Sequence, residues 1–309
     1  MADQTKRIVN VSVANVWTSY DSARPIDEAV TTNPVDLGSW LNGLTYDTRL
    51  ELCSSNLLQT QVLFGEEVIV TGTNGHWAEV IVPGQPALKN KDGYPGWIPI
   101  TQLTEYGDWN ITDSEVAVIT SKQAVLRPVN SDFELVLSYQ TILPVQENSR
   151  DTLKVKSPLG SALLKHEDTA IYESYQHIPK GTGTDLVRAG EKFVGLPYLW
   201  GGLSSYGYDC SGFSYSMCKA IGAIIPRDAS YQAETGKEIS LSAIEPGDLL
   251  FFAYQEGKGH IHHVGIYYGN GQLLHSPKTG KEIEIIPIAG TIYEKELCAA
   301  RRYWQEREE

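Results

Sequence analysis

The sequence predicts two small all-β barrels followed by an α+β domain in which helices pack on an antiparallel sheet. Three observations predict this. Up to about residue 175 short β-rich runs alternate with turn residues. The strand–turn–strand run that ends near residue 100 has a weaker copy beginning near residue 116. After about residue 184 the pattern changes to helices first and strands later, the order of an α+β domain.

Val11–Trp17 alternates apolar and small residues and predicts a strand. Glu67–Thr71 predicts another. Thr73-Asn74-Gly75 predicts a tight hairpin, because Asn-Gly tolerates positive φ, and Trp77–Val82 is the returning strand. Gly93-Tyr94-Pro95-Gly96-Trp97-Ile98 leads into a further strand. In the weaker copy the strands are Val116–Ile119, Thr141–Val145 and Thr152–Val155, with Ser157-Pro158-Leu159-Gly160 as the turn. The first copy carries an insertion in which Leu37, Trp40, Leu41 and Leu44 share a helical face, expected to cover one side of the barrel.

In the last part Thr184–Phe193 predicts a helix ended by Gly195-Leu196-Pro197. Cys210–Ile221 predicts a second helix, with Phe213, Met217 and Ala220 on one side. Leu249–Phe252, His263–Tyr268 and Gln272–His275 predict strands. The chain thus divides into residues 1–108, a first barrel with the helical insertion, 109–178, a second barrel, and 179–309, the α+β domain.

Composition narrows the function. With 41% hydrophobic and 20% charged residues the chain is an ordinary globular protein of two or three domains. No apolar run reaches the ~18 residues that span a membrane, so no membrane partner is expected. The opening Met1–Arg7 lacks the apolar core of a leader, so the cytoplasm is the expected compartment. A net charge of −13 argues against nucleic acid, whose phosphates require excess Lys and Arg. Four scattered cysteines and no CxxC pair argue against a disulfide scaffold and a zinc ribbon.

One cysteine stands at a reactive position. In Tyr208-Asp209-Cys210-Ser211-Gly212-Phe213, Asp209 sits where a helix N-cap would sit and Cys210 opens the helix. The thiolate is the nucleophile, and the positive end of a helix favours it. Asp209 opposes that, so a nearby imidazolium is needed. The same backbone N–H groups suit an oxyanion. The alternative is a buried cysteine used as a small hydrophobe.

His263 and His275 flank the turn signal Gly269-Asn270-Gly271. Paired strands lie ~4.8 Å apart, so the two imidazoles are expected to be neighbours. Cys210 then attacks, His263 exchanges the proton, and His275 holds the useful tautomer. His260 and His262 share a strand face and raise a zinc reading, but a closed site needs more ligands than these. No metal and no cofactor are expected.

This constellation resembles the NlpC family of cell-wall peptidases, a papain-like group. The matching segments are Pro197-Tyr198-Leu199-Trp200-Gly201-Gly202, Asp209–Phe213, Pro226-Arg227-Asp228, Pro246–Phe252, His263–Tyr267 and Leu274-His275, with 53 residues from Cys210 to His263 and 12 more to His275. The barrels resemble bacterial SH3-like domains, through Gln61–Glu66, Trp77 and Gly93–Trp97 in the first copy. The whole order resembles the γ-D-glutamyl-L-diamino acid endopeptidases of the dipeptidyl-peptidase VI type.

The resemblance implies hydrolysis of murein tri- and tetrapeptides with a free N-terminal L-Ala, releasing L-Ala-γ-D-Glu in cell-wall peptide recycling. It implies Cys210 as nucleophile, His263 as base, His275 as third member and the Tyr198 hydroxyl at the oxyanion. Asp228 would receive the substrate ammonium. Asp209, Ser211 and Trp200 would line the D-glutamate site, and Glu66 and Tyr94, from the first SH3-like domain, would close the far end of the cleft. Each has a plainer reading: Asp228 paired with Arg227, Tyr94 in the barrel core, Tyr198 a packing tyrosine, Trp200 a pocket wall, Asp209 a cap only, Ser211 a first-turn residue, Glu66 an exposed turn carboxylate. Other functions carried by the same frame are a catalytically inactive wall-binding protein and an amidase or transferase using the same three residues.

Overall fold

The computed structural model describes residues 5–129, 131–150 and 152–305. Of the opening stretch, residues 1–4 lie outside the described residues. The chain forms two compact units. One holds the residues up to 84, 92–178 and 204–206; the other holds 85–91, 179–203 and the residues from 207 onward.

The first unit contains two seven-stranded antiparallel sheets. The first sheet uses β1 (Thr5–Val9), β2 (Val13–Trp17), β3 (Leu58–Leu63), β4 (Glu67–Asn74), β5 (Trp77–Val82), β6 (Tyr94–Pro99) and β7 (Leu103–Glu105) in the order β3-β2-β6-β5-β4-β1-β7. The second uses β8 (Val116–Ile119), β9 (Gln123–Pro128), β10 (Leu135–Ser138), β11 (Ile142–Asn148), β12 (Thr152–Ser157), β13 (Gly160–Lys165) and β14 (Thr169–Tyr172) in the order β10-β9-β13-β12-β11-β8-β14. Ile8 and Phe64 of the first sheet join Leu126, Leu143, Leu153 and Val155 of the second in one apolar cluster. The two all-β domains therefore share a core.

The Asn74-Gly75 hairpin forms as expected, with Gly75 at φ +56. The strand expected over Val11–Trp17 begins at Val13, and Thr5–Val9 is a separate strand that pairs with β4 and β7. The insertion forms α1 (Leu37–Gly43) and α2 (Tyr46–Ser54). Leu37, Trp40 and Leu44 are buried, and Trp40 Nε1 donates to buried Asp27 at 2.8 Å. α2 escaped the periodicity reading because its apolar residues do not gather on one face, and a Thr45–Thr48 capping box defines its start.

The second unit has helices α3 (Gly183–Glu191), α4 (Cys210–Ala220) and α5 (Ala229–Gln232). A short hairpin of β15 (Leu203–Ser204) and β16 (Gly207–Tyr208) precedes α4. The six-stranded antiparallel sheet uses β17 (Lys237–Glu238), β18 (Leu249–Ala253), β19 (Ile261–Gly269), β20 (Gln272–His275), β21 (Glu284–Pro287) and β22 (Leu297–Arg302), in the order β17-β22-β18-β19-β20-β21. α4 packs on β19 and α3, so the α+β domain is helices on an antiparallel sheet. The Pro246-Gly247-Asp248 turn anchors β18: the Asp248 carboxylate is buried and accepts from Arg302 at 2.8 and 2.9 Å and from Trp304 Nε1 at 3.0 Å.

Two segments depart from the boundaries read from the sequence. Residues 85–91, inside the range 1–108, cluster with the second unit, where Arg227 N donates to Pro86 O at 3.0 Å. Residues 204–206, inside 179–309, cluster with the first. Both are excursions of the chain whose long-range neighbours differ from their sequence neighbours, and no local pattern reports that. Among the described residues no helix is long and apolar enough to cross a membrane.

Candidate active site

Cys210 is the first residue of α4 because Asp209 ends the preceding extended chain and caps the helix. The Asp209 carboxylate accepts from Gly212 N at 2.6 Å and from Ser211 Oγ at 3.2 Å. Gly212 has no room for a side chain: a Cβ there would lie 2.1 Å from the Gly202 carbonyl. Strand β19 brings a backbone donor to the other side of the sulfur, since the Val264 N–H points at Cys210 Sγ. Val264 is the residue after His263, so the thiol lies beside the imidazole-bearing strand.

His263 and His275 meet as the spacing predicts, with His263 Nε2 2.8 Å from His275 Nδ1. Both are buried, at 3% and 0% exposure. His263 does not begin its strand, which starts at Ile261. Nor are the two residues directly opposite. Ile266 pairs with Leu274, which brings His275 level with Gly265, two residues beyond His263. The imidazoles meet on the diagonal, and a Cβ at Gly265 would lie 2.9 Å from His275 Cβ.

Electrostatics differ from the expectation of a thiol activated by its helix. The Cys210 thiol is pushed up to about 12, first by burial and then by the Asp209 carboxylate, against the Val264 and Ser211 N–H groups and Arg227. His263 is held well below its ordinary range by burial, then by His275 and His262. Burial lowers His275 to about 4. Desolvation disfavours both charged forms, a direction that favours a neutral thiol beside a neutral imidazole.

The remaining expected site residues are placed as follows. Tyr198 is buried and bridges in parallel to Tyr208, two residues before the cysteine. Trp200 is half-buried just after it. Asp209 and Ser211 are buried and bound to Arg227: Nη1 reaches Ser211 Oγ at 2.8 Å, and Nη2 reaches Asp209 Oδ2 at 2.7 Å. Arg227 is thus turned away from its neighbour Asp228, whose carboxylate lies 4.0 Å from Lys89 Nζ in the 85–91 segment. Glu66 and Tyr94 belong to the first unit. Glu66 accepts from Leu63 N at 2.9 Å in a turn, and Tyr94 is 2% exposed at the start of β6. His262, considered for zinc, pairs with Glu296 at 3.0 Å and stacks on Tyr254 at 3.9 Å between centroids.

Sequence reasoning missed three residues of this site. Tyr293, from the helical turn Ile292–Glu296, lies 5.2 Å from the His263 ring and 4.9 Å from the His275 ring, between centroids. Arg227 was quoted only as a neighbour, yet it is the buried counter-charge of the helix cap. Glu284 pairs with His275 across β20 and β21. Proximity to the pair is a property of the folded sheet, and only the Pro226-Arg227-Asp228 segment carried a signal.

A helix-borne thiol set against an imidazole pair on an antiparallel sheet defines a papain-like cysteine peptidase. The comparisons give the same class. Residues 195–302 match the NlpC/P60 family, 54–103 the bacterial dipeptidyl-peptidase Sh3 domain, and 119–172 the YKFC SH3b2 domain. A γ-D-glutamyl-L-lysine dipeptidyl-peptidase of Bacillus subtilis is 49% identical over 295 residues, 96% of this chain and 98% of that one. One of the same name from Bacillus cereus is 41% identical over 97% of this chain and 91% of its own length. The crystal structure of an NlpC/P60 family protein from Bacillus cereus superposes with a TM-score of 0.95, at 40% identity, covering 97% of this chain and all of that one (100%). The chain belongs to the NlpC/P60 family.

Proposed function

We propose that this peptidase hydrolyses the γ-D-glutamyl-L-diamino acid bond of murein peptides bearing a free N-terminal L-Ala, and releases L-Ala-γ-D-Glu. The observation that carries the reading is the Cys210–His263–His275 arrangement within a chain that matches the Bacillus subtilis peptidase over 98% of that protein's length.

The geometry supports the following sequence of steps. His263 Nε2 is engaged by His275, so Nδ1 is the nitrogen left for the thiol. As Cys210 attacks the scissile carbonyl, its proton passes to His263 Nδ1 and the S–C bond forms. The oxyanion takes N–H donors at the start of α4 and the Tyr198 hydroxyl. The tetrahedral adduct collapses, His263 delivers its proton to the leaving amine, and L-Ala-γ-D-Glu remains as a thioester. His263 then removes a proton from water as it attacks the thioester, and collapse of that adduct breaks the C–S bond, frees the acid and returns the proton to the Cys210 sulfur. A neutral resting pair moves its proton during attack rather than beforehand.

Asp228 is assigned the substrate ammonium. Its carboxylate is part exposed and already lies 4.0 Å from one ammonium, that of Lys89, the kind of group the substrate would present. Asp209 and Ser211 support the D-glutamate site through their ties to Arg227, and Trp200 forms its wall. The roles of Glu66 and Tyr94 rest on the resemblance alone. Recycling of wall peptides is the setting that the resemblance implies.

Mass spectrometry of products from L-Ala-γ-D-Glu-meso-diaminopimelate and its L-Lys counterpart tests the reading. Release of L-Ala-γ-D-Glu from the free peptides, with little from N-acetylated ones, is expected. Equal cleavage of the blocked peptides removes the role of Asp228, and no cleavage of either removes the substrate.

A further inference from the structure

His275 has one more nitrogen than the triad uses. Its Nε2 is buried and has no hydrogen-bond partner among the described residues. The anion nearest to it is Glu284, whose Oε1 lies 3.6 Å away. That distance is beyond a hydrogen bond but within ion-pair range. His275 and Glu284 are register partners on β20 and β21, so the approach is built into the sheet. The Glu284 side chain is 40% exposed, with its other face toward solvent.

The tautomers give this carboxylate a function. If His263 Nδ1 is to accept the thiol proton, its Nε2 must carry hydrogen and donate to His275 Nδ1. His275 Nδ1 must then be bare, and its proton must sit on Nε2. An anion beside Nε2 favours that tautomer, and it also favours the positive charge that develops on the pair during attack.

We infer that Glu284 is a positioning residue which holds His275 in its Nε2–H form and extends the relay to Cys210–His263–His275–Glu284. This rests on the catalytic reading of Cys210 and His263 given above. The titratable groups facing the imidazole pair are Cys210 from α4, His262 from β19, Glu284 from β21 and Tyr293 from the helical turn, with Glu296 behind His262.

The test compares the full-length protein with Glu284→Gln and Glu284→Asp. Glu284→Gln is expected to lower kcat about tenfold with KM little changed. Glu284→Asp, which keeps the charge, recovers part of the loss. The acid limb of kcat/KM moves to lower pH in Glu284→Gln, because the protonated pair has lost its stabilising anion. Nitrogen-15 shifts of His275 show the Nε2–H tautomer in the parent and a mixture in Glu284→Gln, and alkylation of Cys210 by iodoacetamide slows. A Glu284→Gln protein with parental kcat, acid limb and His275 tautomer, altered only in melting temperature, overturns the inference. Alkylation and nitrogen-15 shifts need no peptide, so they decide it even if neither protein cleaves the murein tripeptide.

Discussion

The rings of His263 and His275 meet at 2.8 Å across a gap that exists because residue 265 has no side chain. An added Cβ at Gly265 would lie 2.7 Å from Leu273 Cδ1 and 2.9 Å from His275 Cβ. Gly265→Ala therefore has to push His275 off the diagonal. We expect a stability loss of about 1–3 kcal/mol, typical of overpacking, and at least a tenfold or so loss of kcat. Urea denaturation and steady-state kinetics check this; parental kcat would show that the two rings need not meet in this way.

Cys210→Ala is expected to abolish turnover with the fold unchanged by circular dichroism, since the thiol is addressed by the Val264 and Ser211 N–H groups and the substitution removes only the sulfur. His263→Ala should cost more than His275→Ala, because proton transfer is lost in one and orientation in the other. Steady-state rates of the two variants give the order, and the reverse order would exchange their roles.

The cap of α4 is a buried ion pair, with Arg227 at 1% exposure and Asp209 at 6%. Arg227→Met leaves the Asp209 charge buried without its partner. Removing one member of such a pair costs about 3–5 kcal/mol. Chemical denaturation measures it, and a loss under about 1 kcal/mol would place the pair in the class of exposed bridges.

Stability should fall with acid before the carboxylates titrate. His263 and His275 have folded values below the ordinary 6.5, so the unfolded chain binds more protons in that window. Stability from their burial is complete above about 6.5 and is lost as pH falls toward the folded value of about 4 for His275. Each group contributes a slope of up to about 1.4 kcal/mol per pH unit. Unfolding free energies between pH 7 and 5 test it, and His275→Asn should flatten the slope.

The candidate site was legible because its parts are local signals. An N-cap aspartate before a helical pattern marks Cys210, and a glycine-rich turn between two apolar runs marks His263 and His275. Strands β9, β10, β13, β14, β21 and β22 were not read from the sequence, and each is short. Turn residues stand beside several of them, and β13 follows the Ser157-Pro158-Leu159-Gly160 turn directly, so there the turn was legible without its returning strand.

Residue type and spacing, with the resemblance they carry, pointed to the two all-β domains, the α+β domain and the three candidate residues, because capping, turn formation and alternation act between near neighbours. Only the tertiary structure decided the charge state and company of those residues. Burial and Asp209 favour the neutral thiol, Arg227 answers Asp209, and Glu284 stands beside His275. Desolvation and cross-strand approach depend on what the rest of the chain places around a group, and that quantity has no value until the sheet and helices have packed.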